Sequence, residues 1–323
     1  MKQLVSPVLF LVFNRLDATK KVFAAIAKAK PSKLYIACDG ARSDKPDEDV
    51  IVNELREYLL ANVTWDCEVK TLFRDVNLGC GRAVSSAITW FFEHEECGII
   101  LEDDCLPSQS FFNFCEQMLV KYRDDRRIWQ VSGYSILESG DLTESSYYFS
   151  KMTQIWGWAT WRDRWQYFDL EMRLYPRLLK TGYLNNAIDG SRLRIWHRQL
   201  FDDNYGNYKT WDCQWYFTSL INHGLSVTPK ISLVENIGFN MADSAHPELA
   251  DKVIINTKAD EISFPLLHPD CILCNKKLDT KYFKWRTRHG VYLKEICKPL
   301  RNIDRNLFDG KLLKIYKKLR SMF

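Results

Sequence analysis

The longest apolar stretch near the N-terminus, Val8 to Phe13, is far too short to cross a bilayer. Asn14-Arg15 cuts that run before any small-residue cleavage site, so it does not read as a signal peptide. A cytoplasmic protein is the expectation. The common nucleotide signatures are missing too. No GxGxxG follows the first apolar run and no GxxxxGK[ST] occurs anywhere, which argues against a dinucleotide dehydrogenase and against a P-loop NTPase. The ten cysteines show no framework spacing; Cys38, Cys67, Cys105 and Cys115 sit in apolar contexts and read as reduced core residues. Cys271-Ile272-Leu273-Cys274 is a CxxC without a second pair, a weak zinc or redox signal. There is no internal repeat, no low-complexity linker and no DNA- or RNA-binding motif, so nucleic acid is not an expected partner.

What is present is a core-forming composition. At 323 residues and 46% hydrophobic, the chain can bury one large core or two modest ones. Eleven tryptophans suit a ligand cleft as well as a core. The net charge of +4 hides a strong asymmetry. Residues 276–323 hold 15 Lys and Arg against 4 Asp and Glu, while the other 275 residues hold 30 against 37. A mildly acidic body carries a basic C-terminal segment.

Over the first ~130 residues, strand and helix signals alternate at short spacing, which predicts a mainly parallel α/β sheet. Strands are expected at Val8 to Phe13, Leu34 to Cys38, Val69 to Phe73, around Ile99, and at Ile128 to Ser132. Helices are expected after Asp17, which can cap the first of them, over Asp49 to Leu60, up to Phe92, and over Ser110 to Tyr122. Residues 147 to 240 are aromatic and irregular, and read as a cleft-forming half. In open α/β sheets, ligands bind beyond the carboxyl ends of the strands. Asn14-Arg15, Asp39-Gly40 and Glu102-Asp103-Asp104 all fall at such ends.

The third cluster carries the most information. Three consecutive carboxylates at the end of the buried run Ile99-Ile100-Leu101 repel one another and are costly to desolvate, so a cation is expected beside them. A hard divalent ion carrying a phosphorylated ligand would meet that need. The competing reading is an acidic turn in water.

Several segments, taken in order, resemble the GT-A glycosyltransferases, in particular the N-acetylglucosaminyltransferase I-like group and its bacterial relatives. They are Val12-Phe13-Asn14-Arg15, Ala37-Cys38-Asp39-Gly40, Asn77-Leu78-Gly79, Leu101-Glu102-Asp103-Asp104, Gly157-Trp158, Trp211-Asp212, Thr228-Pro229-Lys230-Ile231-Ser232 and Ser244-Ala245-His246. The likeness implies a GT-A domain over residues 1–246, followed by a basic, mostly helical extension over 247–323. It implies a Mn²⁺ or Mg²⁺ cofactor bound through Asp104, with Glu102 and Asp103 on the ribose or sugar. Asp39 would read the uracil edge, Asn14, Arg15 and Arg82 would lie near the nucleotide, and Trp158 would lie beneath the donor sugar. His246 would approach the pyrophosphate. Asp212 would be the catalytic base of an inverting transfer from a UDP-sugar, plausibly UDP-GlcNAc. Its place between Trp211 and Trp215 suggests a low-dielectric setting, although Asp212 could equally cap the following helix.

The tail matches nothing in that group. From Lys311 to Arg320, Leu312, Ile315, Tyr316 and Leu319 share one helical face and the lysines lie largely elsewhere, as in a basic helix lying on an anionic membrane. A helix packed on the enzyme is the other possibility. A membrane-surface tail would suit a glycan or lipid-linked glycan acceptor, as in bacterial surface polysaccharide synthesis. Two alternatives stand against this reading: a nucleotidyltransferase, and a non-catalytic glycan- or membrane-binding protein on the same fold.

Overall fold

The computed structural model describes residues 3–135, 143–238 and 258–288. His246 and the helix expected over Lys311 to Arg320 lie outside them. In chain order the elements are β1 (Val8–Val12), α1 (Leu16–Ala29), β2 (Lys33–Cys38), α2 (Glu48–Ala61), β3 (Glu68–Phe73), α3 (Cys80–His94), β4 (Cys97–Glu102), β5 (Cys105–Pro107), α4 (Gln109–Lys121) and β6 (Ile128–Ser132). There follow β7 (Tyr147–Ser150), β8 (Trp158–Trp161), α5 (Arg162–Trp165), α6 (Tyr175–Thr181), α7 (Leu184–Ala187), α8 (Ser191–Asn204), α9 (Asp212–Ile221), β9 (Leu225–Pro229), β10 (Val234–Asn236) and α10 (Lys276–Arg288).

Eight strands form one sheet in the order β3-β2-β1-β4-β8-β6-β9-β7. Only β8 and β7 run against the others, so the expected α/β class with a mainly parallel, Rossmann-like sheet is met. The apolar runs have a physical reason. Every residue of β1 is buried, because helices cover both faces of the sheet. Val8, Phe10 and Val12 point into one core with Val22, Phe23 and Ile26 of α1, Leu55 of α2 and Phe111 of α4. Leu9 and Leu11 point the other way, onto Ile88, Phe91 and Phe92 of α3 and a group of tryptophans. The period-2 alternation of a strand thus feeds two cores at once. Each such side chain stabilises the fold by about 1.5–3 kcal/mol through burial alone.

Two local expectations are corrected. Asp17 does not cap α1, which begins at Leu16 with Arg15 at the cap position and no side-chain cap bond; Asp17 sits in the first turn, where the helix dipole favours a carboxylate. The region from residue 147 on is also less irregular than it reads. It supplies β7, β8 and β9 to the main sheet, and α6 to α9 enclose a third core around Tyr175, Trp196, Phe201 and Phe217.

The described part of the C-terminal extension packs onto the same body. Ile262 and Leu266 join the first core. The Glu261 carboxylate accepts the backbone N–H groups of Gln109 (3.0 Å) and Ser110 (2.7 Å) at the start of α4. In α10, Leu278 and Tyr282 pack on Tyr148. No helix among the described residues is long and apolar enough to cross a membrane.

Candidate functional site

The register of the sheet brings the polar clusters to one edge. Leu11 of β1 lies opposite Glu102 of β4, and Val12 lies opposite Cys38 of β2. Residues 13–15, 39–40 and 102–104 therefore leave the sheet side by side. After Glu102 the chain turns through Asp103-Asp104 into β5, which pairs antiparallel with β10. The Ile237 N–H donates to the Asp104 carbonyl at 2.8 Å. At Gly238 a Cβ would come within 2.4 Å of Asp104 Oδ2, so only glycine lets the backbone lie this close to that carboxylate.

The cation demanded by the acidic triplet is supplied from within the chain. Arg15 Nη1 donates to Asp104 Oδ2 at 2.7 Å and lies 3.5 Å from Asp103 Oδ1. Asp103 also accepts the Phe13 N–H at 3.3 Å. One guanidinium does not balance this edge. Burial, then the charges of Asp104, Asp103 and Asp212, hold Glu102 well above the usual carboxylate range. Burial and Asp104 push Asp103 up to about 7 in spite of Arg15. Asp212 belongs to the same field, since it raises both Glu102 and the Cys80 thiol.

Asp212 opens α9 as its first residue, exposed, with no side-chain cap bond. The capping alternative is therefore not what the structure shows. The expected low-dielectric setting is not found either, because Trp211 and Trp215 turn into the core and leave the carboxylate outside. The loop before it packs on the start of α3: a Cβ at Gly81 would strike the Tyr208 carbonyl oxygen at 2.1 Å.

The other expected donor-binding residues have structural partners. Asn14 donates to Glu48 at 2.9 Å, and Glu48 is also gripped by Arg42. Asp39 is buried and accepts the N–H groups of Leu78 (3.0 Å) and Gly79 (3.1 Å), which fixes the loop leading into α3. Arg82 is exposed, and its guanidinium lies 5.1 Å from the centre of the Tyr208 ring. It therefore packs against the loop that precedes α9. Trp158 is corrected outright. It is fully buried, 5.6 Å from Trp211 in a near-parallel stack and 5.7 Å from Trp215, so it has no face to offer a sugar. A tryptophan flanked by glycine looks like a platform in sequence; antiparallel pairing of Trp158 with Ile100 turns it inward.

Two residues were missed. Cys80 is an exposed residue at the start of α3 whose thiol is pushed up to about 12 by partial desolvation and by the charges of Glu102, Asp212 and Asp103. Its signal was the Gly79 just before it, a common helix entry. Gly238 had no local signal, because its constraint comes from Asp104, far away in sequence. A cavity of about 650 Å³ lies elsewhere, on the third core, lined by Tyr167, Leu174, Tyr183, Phe217 and His223, and touches none of these acids.

A divalent cofactor is implied by the resemblance. The donors at the carboxyl edge are carboxylate oxygens, which suit Mg²⁺ or Mn²⁺. Among the described residues no three His, Cys, Asp or Glu side chains are arranged to hold a metal by themselves. Mg²⁺ is commonly held by one or two carboxylates together with phosphate oxygens of a ligand, so Asp104 with Asp103 fits a cation whose remaining ligands come from outside the protein.

No family model matches this chain, and no curated protein matches it in sequence. Solved structures similar to it include mouse xyloside xylosyltransferase 1 in its apo form (10% identity, TM-score 0.36, 83% of this chain and 98% of that one). UDP-glucose pyrophosphorylase complexed with UDP-glucose is similar at 9% identity and TM-score 0.35, over 72% of this chain and 93% of that one. The glycosyltransferase GlyE of Streptococcus pneumoniae TIGR4 is similar at 13% identity and TM-score 0.25, over 62% of this chain and 44% of that one. Likenesses this distant carry no argument about activity; the residues of this chain must supply it.

Proposed function

We propose that the protein is an inverting, metal-dependent glycosyltransferase that moves a sugar from a UDP-sugar such as UDP-GlcNAc to a glycan or lipid-linked glycan. The observation that carries this reading is the acidic edge: Glu102, Asp103 and Asp104 at the carboxyl end of β4, with more charge than Arg15 neutralises and with the exposed Asp212 in the same field. Perturbed carboxylates gathered with an exposed acid at the ligand-binding edge of a sheet are characteristic of functional sites.

In this reading Asp104 would hold Mn²⁺ or Mg²⁺, which would supply charge neutralisation for a diphosphate leaving group. Arg15 adds a guanidinium suited to phosphate oxygens. Asp212 takes the proton of the acceptor hydroxyl; that oxygen bonds to the anomeric carbon, and the leaving diphosphate oxygen keeps the electron pair of the broken bond. Exposure of Asp212 suits a base that must meet an incoming acceptor. Asp39 and Asn14 serve by fixing the loops around the nucleotide. The basic tail is proposed to rest on an anionic membrane surface, in keeping with a lipid-linked acceptor in bacterial surface polysaccharide synthesis.

The test is calorimetric binding of a nucleotide-sugar panel with and without Mn²⁺. Metal-dependent binding of one UDP-sugar is expected. No binding to any member would reject the transferase reading in favour of a non-catalytic protein.

A further inference from the structure

Among the described residues, the Arg15 side chain is held by the acids it faces. Its partners are Asp104 and Asp103, and it occupies the cap position of α1, where the helix dipole disfavours a cation. Both oxygens of Asp104 are engaged: Oδ2 accepts from Arg15, and Oδ1 accepts from the Cys105 thiol at 3.5 Å. The backbone at Gly238 lies close as well, since a Cβ there would come within 2.4 Å of Oδ2. A cation approaching Asp104 therefore meets a guanidinium already on the oxygen it needs.

We propose that Arg15 is a positioning residue that makes cation binding at Asp104 conditional on the diphosphate. This inference rests on the reading of Asp104 as the metal ligand. Without the diphosphate, the guanidinium and a divalent ion compete for one carboxylate, and like-charge repulsion keeps the ion out. A diphosphate changes the balance. Its oxygens offer the guanidinium a planar two-point partner at least as good as the carboxylate, so Arg15 can turn to the phosphates and release Asp104. Metal and donor then enter together. The arrangement also spares the site the full cost of three adjacent carboxylates, one buried and two half-buried.

The test is a Mn²⁺ titration of the full chain followed by electron paramagnetic resonance, with and without UDP, on wild type and three variants. In the absence of UDP, Arg15→Gln is expected to bind Mn²⁺ at least about tenfold tighter than wild type, because one repelling charge is gone. Arg15→Lys keeps the charge and should stay within about threefold of wild type. Adding Asp104→Ala to Arg15→Gln should erase the gain. UDP should strengthen Mn²⁺ binding strongly in wild type and far less in Arg15→Gln. Melting curves of each variant establish that it is folded; a merely structural Arg15 would move those curves and leave Mn²⁺ affinity no higher. Equal or weaker Mn²⁺ binding by Arg15→Gln, with UDP-dependent binding intact in wild type, overturns the role of Arg15 and leaves the transferase reading standing. Failure of every form to bind Mn²⁺, even with UDP, overturns the metal assignment and this inference with it.

Discussion

Two arginines stand at opposite edges of the same sheet, and they are held in opposite ways. Arg164, at the edge where β6 begins, is 1% exposed and saturated. It donates to the carbonyls of Ile128, Tyr122, Arg123 and Asp125 at 2.8–3.2 Å, pairs with Asp163 at 2.6 Å, and lies 4.4 Å from the Trp161 ring centre. Arg15, at the carboxyl edge, faces more carboxylates than it can neutralise. A buried cation held by four backbone carbonyls and one carboxylate is a strut. A cluster of acids left short of positive charge keeps a capacity to bind, and that capacity is what a site requires.

The comparison can be broken most sharply at the carboxyl edge. Asp212→Asn should lower transfer about 10²–10⁴-fold, the usual contribution of a general base, and leave calorimetric donor binding unchanged. Asp104→Ala should abolish the Mn²⁺-dependent part of that binding. Normal turnover in the first, or metal-dependent binding in the second, would remove those residues from their roles. At the other edge, Arg164→Met should cost about 3–5 kcal/mol in denaturant unfolding, since four carbonyls and one carboxylate lose their donor. If that variant unfolds like wild type, the saturated arginine is not a strut.

Smaller effects sharpen the contrast. Gly238→Ala should weaken metal-dependent donor binding about tenfold by displacing Asp104, with little change in melting temperature. The third core provides a pH test away from the site. His197 donates from Nδ1 to the Leu193 carbonyl at 2.7 Å and accepts the Tyr216 hydroxyl at Nε2, and burial lowers its pKa to about 4. The unfolded chain then binds the proton more tightly, so stability is full above the ordinary value of 6.5 and declines as pH falls toward 4. The loss should reach about 1 kcal/mol by pH 6, and His197→Gln should flatten the denaturation profile in that window. An unchanged slope would show that this ring does not resist protonation.

The sequence by itself determined the sheet's first half and the edge that holds the candidate site. Buried parallel strands read as continuous apolar runs such as Val8–Val12, and the polar residues that end them mark the carboxyl edge wherever the strands lie side by side. It also required a cation beside Glu102-Asp103-Asp104, because desolvating three adjacent charges is costly in any fold. It could not say which cation. Arg15 reaches Asp104 across 89 positions, Asp39 spends its oxygens on a loop 39 and 40 residues away, and Trp158 faces inward because it pairs with Ile100 rather than because of any neighbour in the chain. Periodicity and charge spacing are local and survive in one dimension. Which partner satisfies a buried charge, and which tryptophan turns into the core, are settled by contacts between distant segments, and only the tertiary structure decided them.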